Sequence, residues 1–160
     1  MKYMLRLFSW KACLILSLIS LISLSVLDFY GLYTDKFYFF KIDNYIFPIL
    51  SIIHFIYLYV FWFKISEREL PDPNMRNVEY ALYIIFLVYI FKGIEATSIL
   101  LSYKDFANHI IPSNFLPVAI LIVGLHVLLL LITLISFKQR KELVGSYDFD
   151  AINDQIDSWD

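Results

Sequence analysis

The chain has 160 residues, 60% of them hydrophobic and 19% aromatic, with a mean hydropathy of +0.68 and a formal net charge of −2. A soluble domain of this size is nearer half apolar, so the surplus points to a bilayer and not to an oversized core. The lone cysteine, Cys13, excludes an intrachain disulfide framework and a paired-cysteine metal or redox site.

Taken in chain order, the first apolar run is Ala12 to Leu27, between Lys11 and Asp28. It is short for a bilayer. Lys11 can snorkel and the aromatics that follow extend the run, giving a span of about 12–30. Its basic start also suits a signal segment, but Ser23-Leu24-Ser25 imitates a cleavage site poorly, and a retained helix is expected. The loop DFYGLYTDKFYFFKIDNY is dense in Tyr and Phe and reads as an aromatic belt along the interface. The second span, 45–63, carries Pro48 in its first turn, where a missing N–H is tolerated. The connection KISERELPDPNMRN reads as a solvated loop with a short helical extension through Glu69. The third span, 80–103, contains Lys92 and Glu95; His109 follows in a solvated loop. The fourth span is 115–137, with Pro117 near its start. Runs this long read as helices, because lipid leaves the backbone no other way to satisfy its polar groups.

The expectation is therefore an all-α integral membrane protein: a four-helix transmembrane bundle over residues 1–141 and an acidic tail over 142–160. Nine Lys and Arg residues flank one side of the spans (Lys2, Arg6, Lys11, Lys64, Arg68, Arg76, Lys138, Arg140, Lys141). Three flank the other (Lys36, Lys41, Lys104). The positive-inside rule then places both termini in the cytoplasm.

Span midpoints fall at or near Ser20, His54, Lys92 and His126, so four antiparallel helices place their most polar side chains at one depth. Glu95 lies about 4.5 Å further along, at 1.5 Å per residue, within pairing reach of Lys92. Charges at such depth are expensive and are expected to face inward. Small residues at Ser17 and Ser20, and at Gly93 and Gly124, allow close helix packing. The cluster has four readings: a polar knot that fixes packing, a proton or ion path, haem b held by His54 and His126, and a quinone or lipid site.

The tail GSYDFDAINDQIDSWD holds five aspartates and no base. Phe149, Ile152, Ile156 and Trp159 form one stripe of a short amphipathic cytoplasmic helix, with Asp154 and Asp157 largely off it. An acidic helix is repelled by an anionic leaflet, so the stripe is expected to meet protein. That protein is a cytosolic partner, a neighbouring subunit or the chain's own bundle.

No nucleophile–base pair, Gly-rich phosphate loop or metal-ligand spacing supports an enzyme, no metal is expected, and no nucleic-acid partner is expected. The leading reading is a small accessory protein of a bacterial inner membrane that anchors a cytosolic partner and homo-oligomerises through its small-residue faces. The alternative is a haem- or quinone-binding electron or proton carrier. In its four-span layout the chain is similar to immunity proteins against pore-forming colicins and to membrane subunits of antiviral systems such as Kiwa. That layout implies an accessory subunit in bacterial defence.

Overall fold

The computed structural model describes residues 9–105 and 111–147. Four long helices dominate it: α1 (Trp10–Leu27), α2 (Ile46–Glu67), α3 (Pro73–Leu101) and α4 (Phe115–Leu143). Each is long and apolar enough to cross a membrane. A two-stranded hairpin, β1 (Tyr30–Gly31) with β2 (Lys36–Phe37), links α1 to α2.

Local chemistry sets the helix ends. The Ser9 hydroxyl caps α1 by accepting from the Ala12 N–H at 3.1 Å. Asp72 caps α3 by accepting from the Met75 N–H at 2.7 Å, with Pro73 at the first helical position. Arg68, at φ 57°, closes α2 in the left-handed region and turns its N–H to the Lys64 carbonyl. The connection expected to be a solvated loop thus shrinks to residues 68–72. Helix α3 begins seven residues before Tyr80, and Lys64, Pro71 and Met75 are all buried.

Each helix packs on its sequence neighbours, and α1 closes the ring against α4. The buried seam recurs every three to four residues. On α2 it runs Phe47, Ser51, His54, Leu58, Phe61; on α4 it includes Ala119, His126, Leu129, Thr133, Ser136 and Arg140. That spacing is the left-handed bundle pattern. The seam carries the polar residues, while Ile15, Ile22, Ile49, Ile84, Leu87, Ile120 and Leu131 are exposed on the outside. A water-soluble bundle has the reverse arrangement. Apolar residues outward and polar ones inward suit lipid, and the chain is a four-helix membrane protein.

The loop expected to be an interfacial belt is a folded cap. Gly31 sits in a turn so tight that a Cβ there would lie 2.5 Å from the Tyr38 ring and 2.7 Å from the Thr34 hydroxyl. The Tyr30 hydroxyl donates to Asp35. Phe29 packs edge-on against Tyr45 at 4.9 Å and tilted against Phe39 at 5.6 Å. Tyr33 fastens the cap to the bundle through a 2.7 Å hydrogen bond with Ser102 and a ring contact with Phe115 at 4.9 Å. The bundle therefore has a loop end, under this cap, and a terminal end, where α1 begins and α4 finishes. His109 and residues 148–160 lie outside the described residues.

Candidate functional site

The polar side chains collect at three levels, and each level has a different state of satisfaction. At the terminal end, Glu79 of α3 is completely buried and Arg140 of α4 nearly so. The guanidinium grips the carboxylate with both forks: Nε donates to Oε2 and Nη2 to Oε1, each at 2.6 Å. Tyr83 donates to Oε1 at 2.6 Å and Tyr147 to Oε2 at 2.7 Å. Arg140 Nη1 donates to the Gly145 carbonyl at 2.8 Å, and its guanidinium lies 4.1 Å from the Tyr147 ring centre. Burial, then the hydrogen bond to Glu79, holds the Tyr147 hydroxyl proton well above the ordinary tyrosine range. The segment after α4 is thereby tied down onto the start of α3.

Beside it, Lys64 closes the α2–α3 connection, with Nζ 2.8 Å from Glu69 and 2.7 Å from Asp72. Burial pushes the Asp72 carboxyl up, but the Lys64 hydrogen bond and the Met75 N–H outweigh it and hold the group below its ordinary range.

The middle level holds His54, fully buried, with Nδ1 3.3 Å from the Tyr89 hydroxyl and its ring stacked on Tyr89 at 5.8 Å. His54 Nε2 and the hydroxyls of Ser17 and Ser20, all buried, have no hydrogen-bond partner among the described residues.

Towards the loop end, Lys92 pairs with Glu95 at 3.0 Å, with side chains 22% and 48% exposed. His126 Nδ1 lies 2.9 Å from the Ile122 carbonyl. A carbonyl only accepts, so Nδ1 carries the proton and the neutral ring keeps Nε2 as an acceptor. These three residues line a cavity of about 760 Å³ together with Asp28 and the cap. Asp28 Oδ2 is buried, with no hydrogen-bond partner among the described residues.

The structure therefore joins part of the expected midplane set and separates the rest. Lys92, Glu95 and His126 share one cavity; His54 does not line it. Phe47 lies 5.3 Å from Tyr89 and 6.0 Å from His126, ring centre to ring centre, and Tyr89 in turn covers His54. The two imidazoles are thus connected through two packed aromatic rings and share no cavity among the described residues. Ser17 and Ser20 are buried in the α1 seam. At Gly93 a Cβ would meet the His126 Cβ at 3.6 Å, so the glycine lets α3 and α4 approach. Gly124 has nothing within 4 Å of such a Cβ and is on the outer surface. The tail positions Phe149, Ile152, Asp154, Ile156, Asp157 and Trp159 lie outside the described residues.

Glu79, Arg140, Tyr147 and Asp28 were not among the expected site residues. A signal for two of them existed. Counting the α3 seam back from Tyr89 through Ile85 and Leu82 reaches Glu79, and counting the α4 seam forward from Thr133 and Ser136 reaches Arg140.

No family model matches the chain, and neither the curated proteins nor the solved structures contain a match.

Proposed function

We propose that the protein is an accessory membrane subunit that holds a soluble partner at the bilayer surface through its acidic C-terminal segment. The observation that carries this reading is the fastening of Gly145 and Tyr147 onto the Glu79–Arg140 pair, directly before the acidic stretch begins. A tether that leaves a bundle from a fixed point keeps its ligand-binding segment at a defined place and lowers the entropy lost on docking. The basic asymmetry of the loops supports a cytoplasmic departure point. Trp159 is the strongest anchor of the apolar stripe, and the aspartates steer a basic partner surface. The likeness in four-span layout is what supports a bacterial inner membrane and a role in defence. Self-association is served by the outward-facing Gly124.

The test is a stop codon after Tyr147, which leaves the Glu79–Arg140–Tyr147 cluster whole. The shortened protein is expected to insert and melt as the full chain does, while one soluble protein moves from the membrane fraction to the soluble fraction. Trp159→Ala should release the same protein partially. If no soluble protein changes fraction in either variant, the anchoring role is wrong.

A further inference from the structure

The loop-end cavity exists because α1 is short. Its 18 residues span about 27 Å, against about 43 Å for the 29 residues of α3. The chain leaves α1 at Asp28, and the hairpin cap crosses above the space that α1 leaves open. The result is a chamber of about 760 Å³, within the size range of small-molecule sites. Its walls are apolar, among them Leu24, Phe47, Val88 and Phe91. Its charged groups and imidazole are Asp28, Lys92, Glu95 and His126 near the helices, with Lys41 and Asp43 at the exposed rim, and the cap adds Tyr and Thr hydroxyls and the Asn44 amide.

An inventory of donors and acceptors decides what fits. The Lys92 ammonium is engaged by Glu95 at 3.0 Å. The one N–H of neutral His126 is spent on the Ile122 carbonyl. Two acceptors stay open near the helices: the orphan Oδ2 of Asp28 and Nε2 of His126. Two carboxylates face one ammonium there, a formal sum of −1. A buried carboxylate oxygen without a donor is costly. The excess of carboxylate over ammonium there works against an anion, and a neutral apolar molecule leaves Asp28 as it was.

We infer that this chamber binds a protonated primary amine carried on an apolar body, with Asp28 as its counter-ion. The ammonium supplies the missing donors to Asp28 and to the neighbouring acceptors, and the apolar body lies against Leu24, Phe47, Val88 and Phe91. That chemistry belongs both to free amphiphilic amines and to the amine headgroup of an aminophospholipid.

The experiment uses the full chain in nanodiscs of phosphatidylcholine, titrated with decylammonium and followed by thermal unfolding. A saturable rise in Tm is expected. Decanol and decyl sulfate should give none beyond their effect on an Ala96→Phe variant. Decyltrimethylammonium, which has no N–H donor, should bind at least about tenfold more weakly, the discrimination typical of one lost hydrogen bond to a charged group. Asp28→Asn should weaken decylammonium at least tenfold. Ala96→Phe, which fills the chamber and keeps every charge, should abolish saturation, and it decides the matter if Asp28→Asn fails to fold. In discs containing phosphatidylethanolamine, an Asp28-dependent rise in Tm that competes with decylammonium identifies the lipid headgroup as the source. No such rise identifies a free amine. If decanol stabilises as well as decylammonium, or if a folded Asp28→Asn or Ala96→Phe variant binds decylammonium like the parent, the inference is overturned.

Discussion

The two ends of this bundle handle charge in opposite ways. At the terminal end, Glu79 is fully buried and all its visible partners are donors: a bidentate arginine and two tyrosines. At the loop end, the Lys92–Glu95 pair is partly exposed, Asp28 has an orphan oxygen, and α3 has no buried residue beyond Tyr89. The same helix thus passes from a packed half to an open half. A satisfied buried pair is a device for fixing one arrangement. An unsatisfied group beside a cavity is what the proposed amine would satisfy. The contrast sets a packed, satisfied end against an open one within one small chain, and it can be broken by mutation.

The largest effect is expected at Arg140. Arg140→Met leaves Glu79 buried without its cation and should destabilise the bundle by about 3–5 kcal/mol. Combining it with Glu79→Gln should restore a large part of that loss, because the uncompensated charge goes with it. Unfolding in mixed micelles of increasing SDS fraction measures both. If the double variant is no more stable than Arg140→Met alone, the terminal end is not organised around this pair.

Tyr147→Phe removes one donor to the buried carboxylate and should be worth about 1.5–3 kcal/mol, the usual range for a hydrogen bond to a charged group. The same residue gives the terminal end a pH signature. Its proton is held above the ordinary value of 10.0 in the fold, by burial first and by its bond to Glu79 second. An acid with a raised pKa keeps its proton better folded than unfolded. Its contribution is therefore fully present below pH 10 and is lost as pH rises above it. The parent should soften above about pH 10 more steeply than Tyr147→Phe does. Parallel melting curves of the two proteins in alkaline buffer would expose a wrong sign.

The sequence was explicit about the spans and nearly silent about both centres. Runs such as Phe115 to Phe137 announce themselves, because lipid demands helix and apolar surface together. Glu79 and Arg140 were hidden by their position. Each lies just beyond an apolar run, where charged residues are normally solvated, and only the seam spacing shows that they turn inward. Lys92 and Glu95 drew attention as charges inside an apolar run. The depth argument then treated them as equivalent to His54. The structure parts them because Phe47 and Tyr89, ordinary core aromatics in sequence, stand between His54 and His126. Asp28 was read as a flank of the first span. Its role depends on how far α1 falls short of α3 and on a hairpin that roofs the gap, and neither is a local property of residues near position 28.

A smaller effect is expected at Lys92. The depth of Lys92 and Glu95 in the third span predicts an inward-facing pair. With the pair beside a cavity and the glutamate side chain 48% exposed, Lys92→Met should cost less than the roughly 3–5 kcal/mol expected at Arg140. A loss approaching that of Arg140→Met would erase the distinction between the two ends.

The smallest effect, and the one with the reversed sign, is expected at Asp28. Glu79→Gln and Asp28→Asn are the same chemical change, acid to amide, at opposite ends of the bundle. At Glu79 the amide loses half of a bidentate grip and leaves Arg140 buried with a partner of zero charge, so stability falls. At Asp28 the carboxylate oxygen has no donor to lose. The amide removes the penalty of holding a desolvated charge and brings donors of its own. Asp28→Asn in amine-free detergent should therefore be at least as stable as the parent at neutral pH, with a gain within about 1 kcal/mol. Both amides should be measured in one detergent, on one day's membranes, so that only the sign is at issue. A loss at Asp28 matching the loss at Glu79 would mean that Asp28 already has the donor it needs, and the open end would then be as structural as the closed one.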